Sequence, residues 1–495
     1  MSGKLPHFQM YIDGEFTEGS ENQVMETINP ATGEAWATFS CASKDDVERA
    51  VSAARRALTE GPWAEMNPSQ RGQVLYKLSE LVSEVAHDLG ALETNDSGKL
   101  AKETRMQSGY VSDYYRYYAG LADKIQGATL PVDKPGIFAY TTPEPIGVVA
   151  AVVPWNAQMF LTATKVGPAL AAGCTVVLKA SELAPCAMFE FAKAIEKAGV
   201  PAGVVSIISG DAPNCSVPLT MHPDIDRLAF TGSPETAKHI VRNSAESFAV
   251  TSLELGGKSP MVVFEDADLD SAANGLIAGN FGASGQSCVA CTRAIVHSSI
   301  KDKLIEKISA TAEQIVIGDP LDDATQMGPL CTANQVMLIG ETLEKAKAQG
   351  ATVVFGGKKP DSHKDGNFFE PTLVDCPNMD IETLKVEMFG PVMSMVTFET
   401  EEEAIALAND TVFGLGSGIF TNDLARAHRV SSRIRAGICW VNTYRMISPI
   451  APFGGVNQSG YGREAGMEAI NDFVRSKTTW INTSDTPMAN PFVMR

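Results

Sequence analysis

The apolar positions in the N-terminal part of the chain repeat with helical spacing. In residues 45–60, and again after Asn67-Pro68, apolar side chains recur every three or four residues, which places them on one helix face. Ser43 and Asp46 match a capping box before the first segment, and Gly61-Pro62 ends it. The apolar positions are Val47, Ala50, Val51, Ala54 and Leu58, then Leu75, Leu78, Val82, Val85 and Leu89. We therefore predict two consecutive helices.

From Ile146 the pattern changes to short apolar runs, which are typical of buried strands. The runs are IGVVAAVVP from Ile146, CTVVLKAS from Cys174, GVVSIISG from Gly203, DRLAFTGS from Asp226 and PMVVFEDAD from Pro260. Helical stretches such as residues 184–198 lie between several of them. Because buried strands that alternate with helices form doubly wound parallel sheets, we predict an α/β domain here.

The alternation resumes after about Gly256. We predict a helix near residues 300–315, a strand at 351–355, a helix at 401–409 and a strand at 437–442. The fold class is therefore α/β, with two doubly wound parallel-sheet domains. The first domain is predicted to comprise residues 1–123 and 146–255, and the second residues 256–473.

Two segments do not fit this alternation. Residues 124–145 carry four prolines among β-forming residues, and residues 476–482 have the pattern of an isolated strand. An edge strand that is not buried in its own domain is a natural site for pairing with another subunit. We predict that residues 124–145 and 474–495 form a small β element for homodimer or homotetramer formation; a solvated surface hairpin is the alternative.

The composition excludes several classes of partner. The 495 residues include 59 Asp and Glu against 40 Lys and Arg, a net charge of -19, which disfavours nucleic acid and anionic lipid surfaces. The apolar run Ile146 to Val153 is too short to cross a bilayer, and the N-terminal residues lack the apolar region of a signal peptide. Nine cysteines, an odd number, indicate reduced thiols. We predict a cytoplasmic location.

Two short motifs are incomplete. Ser252 to Ser259 misses the phosphate-binding pattern GxxxxGK[ST] at its first glycine, so a nucleoside triphosphatase is not favoured. Cys288-Val-Ala-Cys291 is either a redox pair or half of a zinc site, and without a second close Cys or His pair we expect no metal. Cys288 follows a run of small residues, 281–287, so it is either a reactive thiol or a buried small side chain.

Seven short words stand in a fixed order along the chain. They are Pro154-Trp-Asn156, Lys179-Ala-Ser-Glu182, Phe230-Thr-Gly-Ser233, Glu254-Leu-Gly-Gly-Lys258, Gly285-Gln-Ser-Cys288, Glu387-Met-Phe-Gly-Pro391 and Pro452-Phe-Gly-Gly455. In this order the sequence resembles the NAD(P)-dependent aldehyde dehydrogenase superfamily over essentially its whole length. The resemblance implies oxidation of an aldehyde to a carboxylic acid with NAD.

The resemblance assigns three catalytic residues. Cys288 is implied to add to the aldehyde as a thiohemiacetal, which becomes a thioester when hydride leaves. The side-chain amide of Asn156 and the backbone N–H of Cys288 are implied to stabilise the oxyanion, and Glu254 to activate the hydrolytic water. This set favours the hydrolytic branch over the branch that uses coenzyme A. Taken alone, Asn156 fits a turn residue and Glu254 a solvated strand end.

A first group of cofactor residues is implied near the adenosine. Ser233 follows an apolar strand and precedes a helix at Pro234, where N–H groups can meet a pyrophosphate. Lys179 and Glu182 resemble the residues that hold the adenosine ribose, and a carboxylate there repels a 2′-phosphate. We therefore predict a preference for NAD over NADP.

A second group is implied nearer to the chemistry. Glu387 and Phe389 match the positions that hold the nicotinamide ribose and ring, and Trp155 is expected to border the adenine-proximal crevice. The alternatives are a capping Glu, a core Phe and a core Trp.

The sequence departs from common family members around the substrate. It has Ala157-Gln158 after Asn156, Gly282 before the cysteine word and Asn457 after Phe453-Gly-Gly, so we expect a reshaped pocket.

The loop Thr443-Tyr444-Arg445 is implied to line the aldehyde entrance. Tyr444 and Phe453 are predicted to flank an apolar or planar body, and Arg445 to donate to a distal carboxylate or carbonyl group. The word Asn442-Thr-Tyr-Arg445 and the ending Asn490-Pro-Phe resemble the branch acting on hydroxybutyrolactone or semialdehyde intermediates of N-heterocycle breakdown. We predict a polar or semialdehyde-type substrate. Arg445 pointing to solvent or pairing with a surface acid is the alternative, and a catalytically silent NAD-binding scaffold is the alternative for the whole chain.

Overall fold

The computed structural model describes residues 4–488 and 490–493, and helices alternate with strands along most of this length. The strands are β1 (His7–Phe8), β2 (Met10–Ile12), β3 (Glu15–Thr17), β4 (Val24–Ile28), β5 (Ala35–Ser40), β6 (Thr129–Leu130), β7 (Ile137–Pro145), β8 (Val148–Val152), β9 (Thr175–Lys179), β10 (Val205–Ile208), β11 (Arg227–Thr231), β12 (Val250–Glu254), β13 (Pro260–Val263), β14 (Arg293–His297), β15 (Thr352–Phe355), β16 (Thr372–Asp375), β17 (Val392–Phe398), β18 (Gly416–Phe420), β19 (Ile438–Val441), β20 (Gly460–Tyr461) and β21 (Val474–Asn482).

The α-helices connect these strands. They are α1 (Lys44–Thr59), α2 (Pro62–Glu65), α3 (Pro68–Ser97), α4 (Ala101–Leu121), α5 (Gln158–Ala172), α6 (Cys186–Ala198), α7 (Val217–Met221), α8 (Pro234–Ser244), α9 (Leu269–Phe281), α10 (Lys301–Ala312), α11 (Ala333–Ala348), α12 (Glu382–Lys385), α13 (Glu401–Asn409), α14 (Leu424–Ser431) and α15 (Glu468–Asn471). The predicted capping box is present, since Ser43 and Asp46 bond to each other's backbone N–H groups. Asn67 caps α3 in the same way.

An eight-stranded sheet forms the centre of the first half of the chain. Its strand order is β20-β12-β11-β8-β9-β10-β2-β3, and β12, β11, β8, β9 and β10 run parallel. The residues of β8, β9, β10 and β11 are buried, apart from the half-buried Val152, because helices cover both faces of the sheet. The strand order reverses direction between β8 and β11, which is where doubly wound sheets open a crevice for a ligand.

A seven-stranded sheet forms the second half, in the order β15-β16-β17-β14-β13-β18-β19. All its pairs are parallel except β15 with β16 at the edge. The predicted fold class is thereby confirmed: the protein is α/β with two parallel-strand sheets.

The two segments that did not fit the alternation pair with each other. β21 runs antiparallel to β7 from Val474↔Pro145 to Asn482↔Ile137, and β6 pairs with the other edge of β7. Phe138 and Trp480 on this three-stranded sheet are exposed. Its proposed role in subunit contacts stays a prediction.

The structure differs from the sequence expectations at both ends of the first domain. Strands β1–β5 precede α1, and their short length gave no readable periodicity. Gly460–Tyr461, assigned by sequence to the second domain, pairs with Leu253 and Glu254 and closes the edge of the first sheet. This pairing needs glycine, because a Cβ at Gly460 would lie 1.9 Å from the Leu253 carbonyl oxygen. Residues 465–473 also pack into the first core.

We expect Arg293 to be a major contributor to the stability of the second half. Its buried guanidinium donates to the Lys258 carbonyl and to the Leu407, Ala408 and Asp410 carbonyls at the end of α13. Replacing it in Arg293→Met leaves these acceptors buried without donors and should lower the free energy of unfolding by about 2–4 kcal/mol in urea titrations. Arg429→Met, which removes an exposed partner of Glu401, is the control and should change it little. Equal effects of the two variants would contradict this assignment.

Candidate active site

The first sheet presents several of the predicted site residues at its carboxyl edge. Val152 pairs with Lys179 and with Phe230, and Thr231 pairs with Glu254, so these residues stand at one level across four strands. Three strand spacings separate Lys179 from Glu254, a distance of about 14 Å. Asn156 and Ser233 follow two of these strands directly. The adenosine-side and catalytic candidates therefore share one sheet edge but lie at different points along it.

The second sheet contributes from the opposite edge. Cys288 precedes β14, Glu387 and Phe389 precede β17, and Gly256 to Lys258 precede β13. These residues are thus at the amino ends of their strands. The chain crosses from the first sheet to the second at Glu254–Lys258, which brings a carboxyl edge and an amino edge together.

Three consecutive left-handed residues shape the approach to Cys288. Ala283, Ser284 and Gly285 have φ values of 53°, 55° and 74°. The Ser284 hydroxyl donates to the Gly328 carbonyl (2.8 Å), and the Ala283 N–H donates to the Glu103 carboxylate (3.1 Å). Left-handed backbone is unfavourable for Ala and Ser, so these external bonds hold a strained turn directly before the thiol.

Asn156 and Cys288 are brought together. The side-chain amide of Asn156 donates to the Gln286 carbonyl at 3.2 Å, two residues before Cys288. Burial raises the pKa of Cys288 to about 12, the Glu387 and Glu254 carboxyls add to the rise, and Arg445 opposes it. The thiol is therefore protonated at neutral pH and needs a base to become a nucleophile.

Glu254 is buried with 4% exposure, and neither of its carboxylate oxygens has a hydrogen-bond partner among the described residues. Burial raises its pKa well above the ordinary value, and the negative charge of Glu464 adds to the rise. A Cβ at Gly454 would lie 2.7 Å from its Oε1, so the Phe453-Gly-Gly word provides the space for this carboxyl. A carboxyl with a raised pKa can exchange protons near neutral pH.

A buried ion pair next to Glu254 was missed by the sequence analysis. Lys165 on α5 contacts the Glu464 carboxylate and donates to the Thr231 hydroxyl at 2.6 Å. Lys165 lowers the pKa of Glu254, against the effect of Glu464. Lys165 could have been found from the sequence, because it is the single charged residue of helix α5. No sequence pattern indicated Glu464.

The adenosine-side candidates lie at or just after the ends of β9 and β11. Lys179 Nζ lies 2.6 Å from the carboxylate of Glu182, which is 40% exposed and open to a ligand. Ser233 is the N-cap of α8, and its hydroxyl accepts from the Thr236 N–H at 3.2 Å. Helix α8 begins directly after β11, beside the strand reversal, and the N–H groups of a helix start suit a pyrophosphate.

On the nicotinamide side, Glu387 accepts from the Gly257 N–H at 2.9 Å, and burial raises its pKa to about 7. Its carboxylate fills the space that a Cβ at Gly256 would occupy, 1.8 Å away. The second carboxylate oxygen can accept from a ribose hydroxyl. The residues present therefore fit a dinucleotide.

Trp155 is placed differently from the expectation. Its ring meets that of Phe389 edge to face with centroids 5.6 Å apart, so it borders the predicted nicotinamide side and not the adenine side. The reason is the strand order: Trp155 follows β8 next to the strand reversal, whereas Lys179 ends the neighbouring β9.

Two of the substrate-side candidates lie in the same apolar cluster as Cys288. Tyr444 and Phe453 pack with Cys288 in one apolar cluster, which also contains Trp440 and Leu415. The Tyr444 hydroxyl donates to the Val289 carbonyl at 2.8 Å.

Arg445 has a different partner from the surface acid considered above. Its Nη1 donates to the Ala278 carbonyl at 3.2 Å, near the end of α9. This is the one hydrogen bond that the Arg445 side chain makes within residues 4–488 and 490–493. A Cβ at Gly282 would lie 2.8 Å from the same nitrogen, so a side chain at this position would shift the guanidinium.

The remaining motifs gain no support. Cys291 is fully buried, with its sulfur 3.7 Å from the Leu276 carbonyl oxygen. Across the described ranges, no three potential metal-ligating side chains cluster together.

Comparisons with known proteins agree with this geometry. The model of the aldehyde dehydrogenase family matches residues 16–479. The chain belongs to the aldehyde dehydrogenase family. The chain is 52% identical over 492 residues to a (Z)-2-((N-methylformamido)methylene)-5-hydroxybutyrolactone dehydrogenase of Acinetobacter baylyi, covering 99% of this chain and 100% of that one. It is 40% identical to aminoaldehyde dehydrogenase 2, peroxisomal, of Pisum sativum, over 98% and 97% of the two chains.

A solved structure extends the comparison to the cofactor. The NAD+ complex of an aldehyde dehydrogenase from Bacillus cereus has a TM-score of 0.94 at 38% identity, covering 96% of each chain. The protein is an NAD-dependent aldehyde dehydrogenase, and NAD is its cofactor. In the part of the chain that is described, no helix has the length and apolar character needed to cross a membrane.

The buried Glu254 carboxyl predicts a pH-dependent stability difference. Its folded pKa is raised above the unfolded value near 4.5, so the unfolded chain releases this proton first and wild-type stability falls as pH rises through that interval. Glu254→Gln does not titrate. Urea unfolding should therefore show the variant gaining stability relative to wild type between pH 5 and pH 8. A constant difference between the two proteins over this range would contradict the raised pKa.

Proposed function

We propose that Cys288, Asn156 and Glu254 carry out aldehyde oxidation in the hydrolytic mode. The supporting observation is their convergence where the two sheet edges meet: an amide donor, a thiol and an unpartnered buried carboxyl whose pKa is raised. The thiol adds to the aldehyde carbon, its proton passes to Glu254 or water, and the oxygen becomes an anion that the Asn156 amide and the Cys288 N–H stabilise.

When bound, NAD accepts the hydride that leaves the aldehyde carbon. The carbon then remains attached to the Cys288 sulfur as a thioester. Glu254 takes a proton from water, the hydroxyl adds to the thioester carbon, and the carbon–sulfur bond breaks to release the acid. Lys179, Glu182, Ser233, Glu387 and Phe389 would hold the cofactor, with Trp155 against Phe389.

We further propose a division into two α/β domains, with residues 460–473 joined to the first. We also propose subunit pairing through the sheet of β6, β7 and β21 as a homodimer or homotetramer. Its exposed Phe138 and Trp480 support this role. A cytoplasmic location is supported by the cysteines, since all nine are described and unpaired.

For the substrate, we propose a polar aldehyde with a distal carboxylate or lactone group. The Acinetobacter baylyi relative is named for a 5-hydroxybutyrolactone. A lactone with a hydroxyl on the carbon attached to the ring oxygen is a cyclic form of an aldehyde that carries a carboxylate. The guanidinium of Arg445 has donors free for such a group, and it lies close enough to lower the pKa of Cys288.

The catalytic assignment predicts a clear difference between two cysteines. Cys288→Ala should abolish turnover, followed as NADH absorbance, while NAD binding measured by calorimetry is retained. Cys291→Ala is the matched control, because this sulfur is buried in the second core, 3.7 Å from the Leu276 carbonyl oxygen; the activity of this variant should change little. Comparable losses of activity in both variants would instead support a redox pair of Cys288 and Cys291.

The substrate assignment predicts a change in preference. We compare 4-oxobutanoate with its methyl ester, an aldehyde pair that differs in the distal charge. Arg445→Ala should lower kcat/KM for the carboxylate by roughly 10- to 100-fold, as expected for loss of a charge-assisted bond, and leave the ester unaffected. Gly282→Ala should act in the same direction because its Cβ displaces the guanidinium.

Arg433→Ala, an exposed arginine beside Glu402, is the control for loss of positive charge. An unchanged preference in both Arg445→Ala and Gly282→Ala would remove Arg445 from the substrate site.

A further inference from the structure

The turn that carries Asn156 has little support of its own. Among the described residues, the backbone from Pro154 to Asn156 makes no hydrogen bond to another backbone group. Helix α5 follows without a side-chain cap, and Ala157 has φ -161° and ψ 60°, outside the usual cap geometry. A donor at the end of such a turn needs an external anchor to keep its direction.

Lys99 supplies a bond at this point. Its Nζ donates to the backbone carbonyl of Asn156 at 3.1 Å and also contacts the side-chain oxygen of Gln107. Lys99 is only 6% exposed. Water therefore competes weakly for the ammonium, and the bond to the carbonyl is stronger than the same contact on the surface.

Lys99 itself is held firmly. It lies between α3 and α4, directly after Gly98, whose N–H bonds to the Thr94 carbonyl. The buried Glu93 carboxylate lies 4.0 Å from Nζ and offsets its charge. Burial lowers the pKa of Lys99, and the carboxyls of Glu93 and Glu103 oppose this change.

We infer that Lys99 is a positioning residue for the oxyanion site: its buried ammonium fixes the Asn156 carbonyl and so directs the Asn156 side-chain amide toward the aldehyde oxygen on Cys288. This inference rests on the proposed role of Asn156. Lys99 donates to the backbone carbonyl of Asn156, whereas the side-chain amide of Asn156 donates to the Gln286 carbonyl.

The test compares Lys99→Met with Lys99→Arg. The rate of the NADH burst, normalised to titrated Cys288 thiol, should fall roughly 10- to 100-fold in Lys99→Met, short of the loss for removing an oxyanion donor outright. KM for the aldehyde and calorimetric NAD binding should stay unchanged. Lys99→Arg should restore much of the burst rate, since its guanidinium can donate to the same carbonyl.

Lys102→Met is the matched control. Lys102 also donates to a backbone carbonyl, at 2.6 Å. This carbonyl belongs to Thr325, which is far from Asn156 in the sequence. It should show a wild-type burst rate.

A second variant, Lys99→Met/Glu93→Gln, is needed because Lys99→Met leaves Glu93 without its cation. The double variant should fold more stably than Lys99→Met and keep the slow burst. Recovery of the rate together with stability would overturn the inference.

A double-mutant cycle separates this inference from the proposed function. If Lys99 acts through Asn156, Lys99→Met should cost nothing further in an Asn156→Ala background. If the fold-losses in burst rate of the two single variants multiply in the double variant, Lys99 acts independently of Asn156. That result would overturn the inference while the oxyanion role of Asn156 stands. An Asn156→Ala variant with a wild-type burst rate would overturn the oxyanion role itself, and with it the inference.

Discussion

Burial of the Glu254 carboxyl, which has no hydrogen-bond partner within the described ranges, is the constraint on which the rest of the site depends. It stands where the carboxyl edge of one sheet meets the amino edge of the other, and exclusion of water raises its pKa. Close backbone approach makes this possible. Gly454 leaves room for the carboxyl, and Gly460 lets β20 close the sheet edge beside it. A side chain at either glycine would push the closing segment away and admit water.

Two pairs of opposite charges are buried near the reaction centre. Lys165 pairs with Glu464, and Lys99 lies 4.0 Å from Glu93. Paired charges tolerate burial where single ones do not, and the Lys165–Glu464 pair joins parts of the chain that are distant in sequence. Both ammonium groups belong to segments that adjoin the turn of Asn156: α5 begins directly after it, and Lys99 bonds to its carbonyl. The turn is thus held by its surroundings and not by its own hydrogen bonds.

The two sheet edges contribute different residues to the candidate site. The carboxyl edge of the first sheet offers the adenosine-side residues and Asn156, whereas the amino edge of the second offers the thiol and Glu387. The proposed substrate region is the loop of Tyr444 and Arg445 together with Gly282, and Tyr444 packs in the same apolar cluster as Cys288. The relatives of this chain carry names for different substrates.

The sequence by itself determined the fold class, the α/β alternation and the family words, because strand and helix periodicity and short motifs are local properties of the chain. It located Cys288, Glu254 and Asn156, which the structure brings together as proposed catalytic residues. Only the tertiary structure decided that Gly460–Tyr461 closes the first sheet, that Trp155 meets Phe389, and that Lys99 anchors Asn156. These contacts join residues far apart in the chain, and their energies come from burial and desolvation, which no local pattern records.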